Sequence, residues 1–176
     1  MTGSIRALLG AACVALAMAA APQAGAAEPT ATTAQTGPVT GLPLPRFVSL
    51  KSGEGNARRG PGLTHRVDWV YRHRNMPLRV VAEYEHWRRV EDVEGVGGWM
   101  HYSLLSGVRT ALVLQDMTAL RVQSADRAPV VAWLEAGVVA RLMSCGTDWC
   151  RLNAEGERGW VQRPALWGLM PDEVLD

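Results

Sequence analysis

The sequence predicts an all-β protein: two small β-barrels in tandem, about five short strands each, behind a secretory signal and a flexible tether. Three observations predict this. A unit of about 60 residues occurs twice, and each copy alternates short patterned runs with turn residues. No stretch after the signal sustains a helical 3.6-residue period over eight residues or more. A length of 176 residues and a hydrophobic content of 48% suit one or two small domains with a real core. They exclude global disorder and a large multidomain enzyme.

Residues 1–27 read as a signal peptide. Arg6 supplies the positive start, Ala7 to Ala21 the apolar run, and Ala24-Gly25-Ala26 the small-residue cleavage pattern. Pro22 stops the run short of a membrane span. Cys13 lies inside the run after Gly-Ala-Ala, which is no lipidation motif. Cleavage removes Arg6 and Cys13, leaving 17 basic and 17 acidic residues and the pair Cys145 and Cys150. Such neutrality gives no electrostatic case for nucleic acid or for an anionic membrane surface. Residues 28–45 are rich in Thr, Ala, Pro and Gly and read as a flexible tether.

The first unit occupies residues 46–107 and the second 108–170, with a tail over 171–176. Trp87-Arg88-Arg89-Val90 answers to Trp149-Cys150-Arg151-Leu152, Gly98-Trp99-Met100 to Gly159-Trp160-Val161, and Ala57-Arg58 to Leu120-Arg121. Leu78 to Tyr84 alternates as a strand, and Glu85-His86 makes a tight turn into Trp87. Asp92 to Gly95 then turns the chain into Gly97-Gly98-Trp99-Met100. In the second unit the corresponding strands are Gly137 to Met143, Trp149 to Asn153 and Gly159 to Val161. Tyr102 to Leu105 and Pro164 to Leu166 read as single helical turns that end each unit. Five short strands in 60 residues favour a bent, closed barrel, because closure removes exposed edges.

Asn56-Ala57-Arg58-Arg59-Gly60-Pro61-Gly62 resembles the N-V-R-x-G-P-G signature of bacterial SH3-like domains, with Ala57 in place of the usual valine. Gly98-Trp99-Met100-His101 with Leu104-Leu105 is similar to the closing segment of the same family. Ala128 to Ala132, Cys145 to Cys150 and Ala165 to Gly168 resemble the second repeat of tandem, exported members. The second unit carries Ser124-Ala125-Asp126 where the first has Gly60-Pro61-Gly62, so this loop differs between them. The resemblance implies SH3-like barrels and a binding role in the cell envelope. Polyproline binding is disfavoured, since Leu104 and Ala165 stand where the eukaryotic relatives place a groove tyrosine.

Cys145 and Cys150 fall on opposite arms of a predicted hairpin, and export supplies an oxidising compartment, so they read as a structural disulfide. Free thiols or a redox pair are the alternatives. Residues 46–105 hold ten basic and seven acidic residues, against six of each in 110–167. A solvated face is the default reading of these arginines. The sharper one is an anion-binding face on the first unit, because arginine forks match carboxylates. Its candidate ligand-binding residues are Arg58, Arg59, Arg88, Trp87, Trp99 and Tyr102, and loss of binding in Arg58→Ala or Arg88→Ala is expected. The tryptophans recur at equivalent positions, which favours shared core roles over an exposed groove. Glu83 and Glu85 read as ordinary surface charge.

No catalytic, metal or cofactor set is predicted: the four histidines lack ligand spacing, and no G-x-S-x-G occurs. The expected function is a non-catalytic, exported module, periplasmic or extracellular, that binds peptidoglycan or cell-wall peptides. The alternative is a periplasmic protein-interaction adaptor, with an unrecognised hydrolase as the remote third.

Overall fold

The computed structural model describes residues 35–176; the signal expectation for 1–27, Cys13 and the first part of the tether lie outside the described residues. The described chain is built from short strands and two single 3₁₀ turns. A two-stranded hairpin comes first, β1 (Gln35–Thr36) and β2 (Pro43–Leu44). The first barrel follows as β3 (Arg46–Leu50), β4 (Gly55–Arg58), β5 (Val67–Tyr71), β6 (Pro77–Tyr84), β7 (Trp87–Glu91), β8 (Gly97–His101), a 3₁₀ turn at Tyr102–Leu104, and β9 (Leu105–Ser106). The second comprises β10 (Thr110–Val113), β11 (Thr118–Arg121), β12 (Val130–Leu134), β13 (Val139–Cys145), β14 (Trp149–Ala154), β15 (Glu157–Gln162), a 3₁₀ turn at Arg163–Ala165, and β16 (Leu166–Trp167).

The two seven-stranded sheets have one topology. Their orders are β5-β4-β8-β7-β6-β3-β9 and β12-β11-β15-β14-β13-β10-β16, each strand of the first unit taking the place of its counterpart in the second. The 3₁₀ turns and the Glu85-His86 hairpin stand where the sequence places them, Tyr84 pairing with Trp87. Register shifts recur at equivalent places as well, at Ala57/Arg58 and Leu120/Arg121, and at Val80/Ala82 and Leu142/Ser144. An extra residue sharpens the local bend and twist, which lets so short a sheet curl over a core. Leu50, Leu78, Val80, Val90 and Met100 fill the first core; Leu120, Leu142, Leu152, Val161 and the cysteine pair fill the second.

Each barrel closes through a single bridging position, Arg58 opposite Trp99 and Arg121 opposite Trp160. The residue before each tryptophan is a glycine for a steric reason. A Cβ on Gly98 would lie 2.6 Å from the Arg58 carbonyl oxygen, and one on Gly159 would lie 2.6 Å from that of Arg121.

Residues 35–45 depart from the expectation of a flexible tether, and the cause is Glu83. This residue is buried, with its carboxylate fully enclosed. It accepts hydrogen bonds from the Val39 and Thr40 amides at 3.1 and 2.9 Å, from the Thr40 hydroxyl at 2.7 Å, and from Arg46 at 2.7 Å. Arg88 approaches it at 3.4 Å. Leu44, at the end of the hairpin, packs into the first core. Burial raises the Glu83 pKa, but the hydrogen bonds from Thr40, Arg46 and Val39 outweigh it and hold the carboxyl down at about 2.

The second barrel is tied at three places. Cys145 and Cys150 face each other in register across β13 and β14 as a disulfide, with Cα atoms 4.0 Å apart. The tail returns to this hairpin, Leu175 and Cys145 exchanging backbone hydrogen bonds of 2.7 and 2.9 Å. Arg163 donates to the Glu173 and Gly146 carbonyls at 2.7 and 2.8 Å, and Arg109 pairs with the Glu173 carboxylate. Between the barrels, Phe47 meets Trp167 edge-on at 4.9 Å, and the Thr110 hydroxyl donates to the Asn75 carbonyl at 2.7 Å. The Trp167 ring, at the end of the second barrel, thus sits against the first.

Two outcomes follow for stability. Gly98→Ala is expected to destabilise the protein by roughly 1–3 kcal/mol, because backbone rather than a movable side chain meets the new methyl; an unchanged denaturant midpoint would contradict the closure contact. Glu83 has a folded pKa of about 2 against a reference value of 4.5, so its stabilisation is complete above pH 4.5 and is lost as pH falls through 2. Glu83→Gln is expected to lower stability at pH 7 and to flatten the decline between those two pH values in acid titration of the unfolding free energy.

Candidate functional site

On the outer face of the first barrel, β4, β8 and β7 set three side chains in one row. Arg58 lies opposite Trp99, and Trp99 opposite Arg89. Directly paired residues of antiparallel strands project to the same face. A cleft of about 330 Å³ opens there, lined by Arg58, Arg59, Asp68, Arg89, Glu91 and Trp99 together with Gly95, Gly97 and Gly98.

The cations in this cleft are not equivalent. Arg58 donates to the Leu63 and His65 carbonyls at 3.0 and 2.7 Å and so fixes the loop between β4 and β5. Arg59 pairs with Asp68 at 3.0 Å, and Arg66 reaches the same carboxylate at 2.7 Å. Hydrogen bonds from Arg66 and then Arg59 hold the Asp68 carboxyl below its ordinary range. Glu91 pairs with Arg79 at 3.0 Å. Arg89 is exposed and has no acidic partner among the described residues, which leaves its guanidinium available beside a half-exposed Trp99.

The structure therefore gathers Arg58, Arg59 and Trp99 of the six expected residues and adds Arg89, which sequence reading left unselected. Trp87 occupies the next position of the same ladder, opposite His101; it is buried, with its ring edge-on to that imidazole at 5.5 Å. Tyr102 is exposed and forms a separate patch with His101 and His86, at ring distances of 4.8 and 5.7 Å. Arg88 lies on the opposite face of β7. It is buried there against Glu83 and bonds the Glu85 and Trp87 carbonyls at 2.9 and 2.8 Å, so its place is structural. Glu83, read from sequence as surface charge, is likewise interior, because the hairpin covers it.

The second barrel repeats the row as Arg121, Trp160 and Arg151, and Arg121 again holds its loop by donating to the Ala128 carbonyl at 2.8 Å. Its surface chemistry differs. Trp149 borders a concavity of about 260 Å³ with Gln115, Met117, Trp133 and Gln162, and another of about 390 Å³ with Trp160 and the returning tail. Trp133 is 56% exposed and Met117 63%. The Ser124-Ala125-Asp126 loop is tied in by a 2.6 Å hydrogen bond from Gln162 to Asp126.

Among the described residues no group of three His, Cys, Asp or Glu side chains is placed to hold a metal ion. No helix there is long and apolar enough to cross a membrane.

Arg58→Ala is expected to release the β4–β5 loop and to speed hydrogen exchange at the Arg59 amide, which donates to the Arg66 carbonyl. Arg89→Ala is expected to leave both exchange and melting unchanged. Equal effects of the two substitutions would contradict their separate roles.

Comparison with known proteins gives three results. A family model described as bacterial SH3 domain matches residues 51–107 and again 115–168. Among solved structures, the chain is similar to NlpC2 from Trichomonas vaginalis at 12% identity and a TM-score of 0.33, over 70% of this chain and 48% of that one. It is also similar to NlpC1 from the same organism at 12% identity and a TM-score of 0.32, over 69% of this chain and 45% of that one. The chain thus spans about half the length of these solved structures. No curated protein matches it by sequence.

Proposed function

Because the chain belongs to the bacterial SH3 domain family, through both of its barrels, we propose that it is an exported binding module of the bacterial cell envelope that recognises peptidoglycan or wall peptides. The observation that carries this reading is the 330 Å³ cleft where the unpaired Arg89 stands beside Trp99. A guanidinium fork offers two parallel donors to a stem-peptide carboxylate, and the indole offers a flat apolar face to the adjoining peptide or sugar. Arg59 adds a second cation, partly neutralised by Asp68. Arg58 shapes the wall of the cleft rather than reaching out of it. The N-terminal signal pattern supports export.

A second reading has its own observation. Met117, Trp133 and Trp149 line a hollow on the second barrel beside Gln115, Arg121 and Gln162, and aromatic groups set among polar ones suit a protein surface. An adaptor would use this barrel and leave the Arg89 cleft idle.

Co-sedimentation of the chain from residue 28 onward with protein-free sacculi separates the two. Saturable pelleting that weakens with salt is expected. Arg89→Ala and Trp99→Ala should each reduce it about tenfold, in line with loss of one charge-assisted hydrogen bond or one aromatic contact. Absence of pelleting at low salt, or full pelleting by Arg89→Ala, would overturn the wall reading.

A further inference from the structure

We propose a second ligand site in the cleft between the barrels, taking a short peptide that ends in a free carboxylate. The cleft has a volume of about 500 Å³, and both barrels line it: Arg74 and Asn75 from the first, Thr110, Arg141, Asn153 and Glu155 from the second.

Backbone geometry fixes the positions of its cations. Asn75 adopts a left-handed φ of 63°, its amide donates to the Leu50 carbonyl at 2.9 Å, and its own carbonyl accepts from the Thr110 hydroxyl at 2.7 Å. The turn that bears Arg74 is thereby pinned to the first strand of the second barrel. Across that strand Thr110 pairs with Arg141, and Arg141 pairs with Asn153, so the three occupy one cross-strand row. Arg74 and Arg141 are both exposed, and neither has an acidic partner among the described residues. Arg158, opposite Asn153 on the next strand, and Arg72 are also exposed without an acidic partner among the described residues, but neither lines the cleft. Two unpaired arginines, one from each barrel, therefore line the same open cleft.

The other lining groups select the anion. Two planar forks suit a planar carboxylate. Glu155 disfavours a multiply charged phosphate and favours a ligand whose other end is an ammonium group. The Asn153 carboxamide oxygen already accepts from the Gly156 amide at 3.0 Å, which leaves its NH₂ to donate to a peptide carbonyl. Carboxylate at the arginines and amine at Glu155 describe a short zwitterionic peptide lying across the barrel junction. The site is separate from the Arg89 cleft, and its ligand class stands without the sacculus reading.

The test is NMR titration of the ¹⁵N-labelled chain with alanyl-alanine, beside alanyl-alaninamide and inorganic phosphate. Saturable shifts at the Asn75, Thr110, Arg141 and Gly156 amides are expected with the dipeptide and not with its amide. Arg74→Gln and Arg141→Gln should each weaken binding roughly tenfold or more. Both should keep the melting midpoint of the parent, since both side chains are exposed and unpaired. Equal binding of the amide, binding of phosphate alone, unaltered binding by either variant, or shifts that never saturate would each overturn the proposal.

Discussion

Each barrel depends on one backbone approach, the close passage of a glycine beneath the carbonyl of an arginine on an earlier strand. Gly98 lies under Arg58 and Gly159 under Arg121, with no room for a methyl group at either position. This passage lets β8 and β15 close their sheets, and it sets the following tryptophan beside two arginines. The Arg-Trp-Arg row is thus a consequence of closure, present in both barrels whatever either one binds. The first arginine of each row also has the same second task, holding the following loop by its carbonyls.

On that shared frame the two barrels carry different surfaces. The first keeps charges around its row, two of them satisfied by Asp68 and one left open at Arg89. The second exposes Trp133 and Met117 and adds a disulfide hairpin with the tail laid along it. Turn lengths diverge accordingly: the two-residue hairpin joins β6 to β7 in the first barrel, but β14 to β15 in the second. The buried Glu83 is a feature of the first barrel alone, and it converts a Thr- and Pro-rich segment into an ordered hairpin.

Much of the architecture was legible in the residues because it rests on local rules. The repeat, the 3₁₀ turns, the tight Glu85-His86 turn and the cysteine staple all follow from short-range pattern. The site was only half legible. Strict alternation on β7 places Val90 inward, which sends Arg88 inward with it and turns Arg89 outward, so the choice between these arginines lay within reach of the sequence. The fate of Glu83 did not, since its partners Val39 and Thr40 lie more than 40 positions away and sit in a segment whose composition signals no structure. Trp167 likewise contacts Phe47 across 120 positions, beyond any periodic signal.

We propose that the cleft around Arg89 and Trp99 is where the first barrel meets the cell wall. Its most direct test is chemical-shift mapping with soluble disaccharide-peptide fragments released from sacculi. Saturable shifts are expected at Arg59, Asp68, Arg89 and the Trp99 indole. Saturation with those four signals unmoved, and with Trp133 and Trp149 shifting instead, would contradict it.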